Sequence, residues 1–226
     1  MRKNYLWLFT GIGLVVAFLL WTWLVCCVDV QPIGPHHSTV GFAALNQWIH
    51  QRIGVHMTLY IITDWLGFVP LGIAFGFAIL GLSQWIRRRR VVNVDRSILA
   101  LGGFYILVVA TFLLFEAMVI NYRPILIDGI LETSYPSSTT LLALTILPTA
   151  MLQLQNRVKN LVFRKWLHLL MGAFTAFMVI GRIFSGVHWF SDIVGSILLS
   201  SGLVSLYVFC TAKMDTEGLP YPIKHI

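Results

Sequence analysis

The chain has 226 residues, 58% of them hydrophobic and only 11% charged, with a net charge of +7. A soluble domain is about half apolar and roughly a quarter charged, so this composition excludes an ordinary water-exposed surface. The basic residues lie between apolar segments, which points to membrane orientation rather than to nucleic acid as the use of the positive charge.

A helix needs roughly 20 mostly apolar residues to span a bilayer. Six stretches meet or approach this, over 5–28, 57–86, 97–120, 138–154, 166–183 and 188–211. The sequence therefore predicts one transmembrane domain over 1–226, an all-α, polytopic membrane protein built as a six-transmembrane-helix bundle. The first stretch follows Arg2 and Lys3 but is too long for a signal h-region, so it reads as a retained helix. Between the first two stretches, residues 41–53 place Phe42, Leu45, Trp48, Ile49 and Ile53 at helical spacing, with Asn46, His50 and Arg52 between them. This segment reads as a short amphipathic helix on the membrane surface or as a loop packed over the bundle. Cys26, Cys27 and Cys210 show no CxxC or zinc-ligand spacing and read as small apolar residues in helices.

Of the 16 Lys and Arg residues, all but Arg52, Arg123 and Arg182 fall on one side of this plan. They include the run Arg87 to Arg90 in the second-to-third connection and Lys213 and Lys224 in the tail. The positive-inside rule then places both termini in the cytoplasm and the odd-numbered connections outside. The arginine run itself reads as a topology anchor that also attracts anionic lipid. The compact connections favour a bacterial plasma membrane.

Ionisable groups at membrane depth are costly and so read as functional. Arg123 precedes Pro124 after the third stretch, and Arg182 ends the fifth. His188 and Asp192 open the sixth, four residues apart and on one helical face. Two guanidiniums can clamp a phosphoryl group through forked hydrogen bonds. The run Ser137-Ser138-Thr139-Thr140 offers hydroxyls and free N–H groups at a helix start, which suits phosphate oxygens, although plain N-capping also accounts for it. Asp192 is expected to accept the proton of one His188 nitrogen and leave the other free to attack phosphorus. Glu116 and Arg123, seven residues apart, are expected to pair across two helical turns. Asp64 beside Trp65 either lines a lipid entrance or bonds a neighbour, and His168 reads as structural.

The stretch Gly181-Arg182, five residues, His188, three residues, Asp192 resembles the third signature of the type 2 phosphatidic acid phosphatase (PAP2) superfamily, Ser-Arg-x5-His-x3-Asp. Pro136-Ser137-Ser138-Thr139 is similar to its second signature, Pro-Ser-Gly-His, and Arg123-Pro124 to the end of its first, Lys-x6-Arg-Pro. The resemblance implies a PAP2-like six-helix bundle that removes phosphate from a lipid phosphate or a polyprenyl or phospholipid diphosphate through a phosphohistidine on His188. It implies phosphate binding by Arg123, Arg182, Ser137, Ser138 and Thr139, orientation by Asp192, no cofactor and no metal. The partners it implies are the lipid substrate and the bilayer, with no nucleic acid. Two departures bear on the reaction. Glu116 stands in place of the first signature's lysine, and Thr139 in place of the second signature's histidine, which in the family protonates the leaving group. Glu116, Glu132, His36 or His37 would then substitute as the acid, or the substrate would be a diphosphate, whose leaving group needs that proton much less. The alternatives are a catalytically inactive relative that binds a phospholipid head group or a membrane partner, and a lipid phosphotransferase.

Overall fold

The computed structural model describes residues 2–217, so Lys224 lies outside them. The chain forms α1 (Arg2–Cys27), α2 (Ala43–Ile53), α3 (Met57–Leu66), α4 (Phe68–Arg88), α5 (Arg96–Met118), α6 (Ser138–Arg157), α7 (Leu161–Ser185) and α8 (Phe190–Glu217). Segments Tyr5–Cys27, Met57–Arg88, Arg96–Met118, Leu161–Ser185 and Phe190–Ala212 are long and apolar enough to cross a membrane. Their outer faces carry exposed Phe9, Ile106, Trp166 and Leu170, side chains suited to lipid.

The sixth long helix, α6, is different because it runs through the middle. It packs on α4, α5, α7 and α8. Its Thr140, Thr145, Thr149 and Gln153 are buried, so protein rather than lipid surrounds its polar side chains. Thr145 and Thr149 return their hydroxyls to the carbonyls of Leu141 and Thr145, both at 2.7 Å, which satisfies them within the helix.

Local chemistry sets the helix ends. Pro70 lacks the N–H that would bond back to Leu66, and the helix from Met57 to Arg88 is interrupted at Gly67, the junction of α3 and α4. Asn160 caps α7 by accepting the Phe163 N–H at 3.0 Å, so that helix starts before the apolar run does. Gly186 ends it with a φ of +68°. A Cβ there would sit 2.0 Å from the Gly54 oxygen, which only glycine avoids.

Two apolar clusters hold the bundle. Phe18, Phe104, Phe115, Leu141 and Leu203 join α1, α5, α6 and α8. Leu147, Ala150, Met171 and Met178 join α6 to α7. The ends of α5 and α7 and the starts of α3, α6 and α8 meet at one end of the bundle. The run Arg87 to Arg90 lies at the other end, about 30 Å away along the 21 residues of α4.

Candidate active site

At the end away from the arginine run, residues 119–137 connect α5 to α6 as a hairpin-like loop. Asp128 and Gly129 both have positive φ, 50° and 78°, the geometry of a tight two-residue turn. Ile127 and Ile130 exchange backbone hydrogen bonds of 3.1 and 2.8 Å across it. Further along, the Arg123 N–H donates to the Glu132 carbonyl at 2.9 Å, and the Ser134 N–H to that of Asn121 at 2.9 Å. The turn thereby sets Arg123 against Glu132, nine residues on in sequence. Arg123 Nε lies 2.9 Å from Glu132 Oε2, a charge pair that is off the line of the N–H bond, so no hydrogen bond forms there. This corrects the expected Glu116–Arg123 pair. Glu116 instead accepts a hydrogen bond from the Thr133 hydroxyl.

A cavity of about 450 Å³ opens beside this loop. Glu116, Arg123, Glu132, Pro136, Ser138 and His188 line it. Five of the residues singled out from the sequence therefore share one wall. His188 is buried, with Nδ1 3.1 Å from the Ser134 carbonyl oxygen. A carbonyl can only accept, so Nδ1 carries the proton and Nε2 keeps its lone pair. Nε2 has no hydrogen-bond partner. Burial lowers the His188 pKa from 6.5 to about 4, Arg123 and Arg182 add to the lowering, and Asp192 opposes it. The ring is neutral at pH 7.

Asp192 sits differently from expectation. Its Oδ2 is 3.8 Å from His188 Nδ1, beyond hydrogen-bond range, while Ser134 is nearer. Oδ2 accepts the Trp189 N–H at 3.0 Å, and Oδ1 accepts from Asn121 Nδ2 at 2.9 Å. The carboxylate thus fixes the turn that carries His188 and ties that turn to the loop that carries Ser134.

Arg182 is fully buried behind this wall and does not line the cavity. Its Nη2 donates to Thr139 Oγ1 at 2.7 Å and to Asp64 Oδ1 at 3.0 Å, and Nη1 donates to Thr63 Oγ1 at 3.3 Å. Thr139 therefore serves Arg182 as a hydrogen-bond acceptor. Ser137 is turned inward, its hydroxyl 3.1 Å from that of Thr140. Arg123 Nη1 and Arg182 Nε are buried without hydrogen-bond partners. Such donors are costly unless an acceptor meets them. His36 and His37 are exposed in the connection before α2 and are not part of the cavity wall. Among the described residues no group of three or more His, Cys, Asp and Glu is placed to hold a metal ion.

Three contributors were not foreseen. The Tyr60 ring lies under both guanidiniums, 5.0 Å from Arg182 Cζ and 5.7 Å from Arg123 Cζ. Tyr60, Thr63 and Asp64 share one face of α3 at i, i+3 and i+4, and this spacing was the available signal. Asn46 of α2 is the second. Its Nδ2 donates to the Gly41 carbonyl at 2.8 Å and to Ser191 Oγ at 2.9 Å, and its Oδ1 accepts the Ser191 N–H at 3.1 Å. His50, one turn along, packs on Trp189 with ring centroids 5.5 Å apart. Helix α2 is therefore bolted to the His188 turn. The third is Ser134, which offers only its backbone carbonyl and so leaves no trace in residue type.

The PAP2 superfamily model matches residues 115–215, the segment that carries all nine signature and acid candidates from Glu116 to Asp192. No curated protein sequence matches the chain significantly. The crystal structure of a transmembrane PAP2-type phosphatidylglycerolphosphate phosphatase from Bacillus subtilis is similar to it, with a TM-score of 0.55 and 19% identity, over 95% of this chain and 100% of that one. The family match falls on the helices and loop that build the cavity, and the fold match extends over the rest of the bundle, so residues 115–215 are similar to the PAP2 superfamily within a helical membrane protein that shares the fold of a PAP2-type phosphatase.

Proposed function

We propose that the chain hydrolyses a lipid phosphate or a polyprenyl or phospholipid diphosphate in the outer leaflet of a bacterial plasma membrane, by way of a phosphohistidine on His188. One observation carries this reading: a neutral, buried imidazole whose Nδ1–H is held by the Ser134 carbonyl and whose Nε2 is unpartnered in a cavity wall shared with Arg123. In the first step Nε2 attacks phosphorus, and the bond from phosphorus to the lipid oxygen breaks with its electron pair on that oxygen. The unpartnered N–H groups of Arg123, in the cavity wall, are the donors for the phosphoryl oxygens, and the buried charge of Arg182 lies behind that wall. In the second step water attacks phosphorus, the P–N bond breaks, phosphate leaves with the water's oxygen, and neutral His188 returns.

Thr139 bears on the choice of substrate. Its hydroxyl cannot protonate a leaving group at neutral pH. Losing a general acid costs about two to four powers of ten when the leaving group is an alkoxide. A phosphate leaving group, as from a polyprenyl diphosphate, needs that proton far less. The reaction therefore favours diphosphate lipids, unless Glu116 or Glu132, both in the cavity wall, supplies the proton.

A second reading is a relative that binds a lipid head group without catalysis. It is favoured by one contact set: Arg182 already gives Nη2 to Asp64 and Thr139 and Nη1 to Thr63. The deciding experiment measures phosphate release from a polyprenyl diphosphate and from a phosphatidate, by the wild type and by His188→Ala in detergent. Release from the diphosphate that His188→Ala abolishes is the expected result. Folded protein that binds both lipids and releases phosphate from neither would replace hydrolysis by the binding reading.

A further inference from the structure

A groove of about 980 Å³ runs between α4 and α5 and shares no lining residue with the phosphate cavity. Its walls are two helical rows. On α4 the row is Phe75, Ala78, Leu82 and Trp85; on α5 it is Leu99, Gly103, Ile106, Ala110 and Leu113. From Leu99 to Leu113 the α5 wall rises about 21 Å, more than the roughly 15 Å half-thickness of a hydrocarbon core. The lining is almost wholly apolar, and Gly102 and Gly103 leave open space where side chains would stand.

Arginines follow its walls in sequence at one end. One turn beyond Trp85 comes Arg89, the C-terminal cap of α4, whose N–H bonds back to the Trp85 carbonyl at 2.8 Å and whose φ of +57° turns its side chain off the helical row. Continuing the α5 row backwards by three residues gives Arg96, the first residue of that helix. Arg87 and Arg90 flank them, and all four are exposed. The one carboxylate nearby in sequence, Asp95, is already taken: Oδ1 by Arg88 at 3.1 Å, Oδ2 by Gln84 at 2.8 Å and by Arg157 at 3.7 Å. Among the described residues no acidic side chain pairs with Arg87, Arg89, Arg90 or Arg96. A long apolar trough ending in uncompensated guanidiniums has the polarity of one molecule, an anionic phospholipid. Two arginines recognise a phosphodiester as they do a phosphate, through forked donors.

We propose that the α4–α5 groove seats an anionic phospholipid of the cytoplasmic leaflet, its acyl chains along Gly102 and Gly103 and its phosphodiester between Arg89 and Arg96. The site is structural or regulatory and lies across the membrane from the chemistry. A second copy of the chain would also cover an apolar groove, but it would bring no anion to the arginines.

The full chain is purified in detergent, and retention of phosphatidylglycerol and of phosphatidylcholine is counted by native mass spectrometry. Three variants go beside the wild type. Gly102→Leu/Gly103→Leu fills the groove with a better helix former, in space that is open. Arg89→Gln/Arg96→Gln removes the head-group donors, and Arg123→Gln disables the phosphate cavity at the far end. The expected result is one phosphatidylglycerol per chain, held at least tenfold more tightly than phosphatidylcholine. Retention falls at least tenfold in each of the first two variants and is unchanged in Arg123→Gln. Equal retention of both lipids, or phosphatidylglycerol that survives the filled groove, overturns the assignment. So does binding lost in Arg123→Gln, which would put the lipid in the phosphate cavity. A dimer that the leucine pair splits, without any change in lipid retention, gives the groove to a second copy instead.

Discussion

His188 offers a test in which environment and role turn on one proton. The perturbation is pH. Burial, with help from Arg123 and Arg182, lowers its pKa from 6.5 to about 4. Between those two values the unfolded chain holds a proton that the native state lacks, so stability falls as pH drops through this window and levels off below pH 4. The total is about 3 kcal/mol at roughly 1.36 kcal/mol per unit. By the scaling for chains of this size, it moves the melting temperature by roughly 6–12 °C. His188→Gln has no such titration, so from pH 7 to 4 the wild type loses that much more stability than the variant. This comparison involves no substrate, and the titration of a substrate phosphate near pH 6 does not enter it. On the proposed mechanism, phosphate release follows the same proton. At pH 5.5 about 97% of a group with pKa near 4 is unprotonated, against roughly 9% of an ordinary imidazole. The acid limb of kcat/KM should therefore lie below about pH 5. A limb near 6.5, together with parallel melting curves for wild type and His188→Gln, would refute the account of a buried, neutral nucleophile.

Three further outcomes follow from named contacts. Asn46→Ala removes three hydrogen bonds and leaves the buried Ser191 N–H without its acceptor, which costs roughly 2–4 kcal/mol; thermal unfolding reads the loss, and phosphate release falls with it as the His188 turn loosens. Thr139→His restores a proton donor beside Arg182 and should raise turnover of a lipid monophosphate at least tenfold relative to a lipid diphosphate; an unchanged ratio would remove the leaving-group explanation. Gly186→Ala puts a methyl group 2.0 Å from the Gly54 oxygen at a φ of +68°, so it should destabilise by more than about 1–2 kcal/mol and depress kcat more than KM; wild-type kinetics would show that the α7–α8 turn does not set the position of His188.

Hydropathy made the long helices legible because lipid demands unbroken apolar runs. Helix α6 was the least distinct, since its surroundings are protein and its threonines and Gln153 interrupt the pattern. Signature spacing drew attention to His188, Arg123, Ser138 and Glu116, and the search for a substitute acid to Glu132; all five line the cavity. Their pairings were not legible. Arg123 meets Glu132 rather than Glu116 because the Asp128-Gly129 turn folds the loop back, and that dipeptide was a usable hairpin signal. Arg182 meets Thr63 and Asp64, more than 100 positions away, and Asn46 meets Ser191 across 145 positions. Contacts of that range leave no local period to read. The carbonyl of Ser134 is silent for another reason, since every residue type has one.

The ring of Tyr60 beneath both Arg123 and Arg182 has a consequence for how the protein responds to solutes. Two like charges share one aromatic face, and each keeps a buried N–H without an acceptor. The aromatic face offsets only part of that repulsion. A tetrahedral oxyanion in the cavity would offset both charges and meet the free donors of Arg123, while the unfolded chain offers it nothing comparable. Orthophosphate or vanadate should therefore act as a folding ligand and raise the melting temperature with concentration. Chloride at equal ionic strength should do much less, because it screens the charges without supplying oxygen acceptors on two sides.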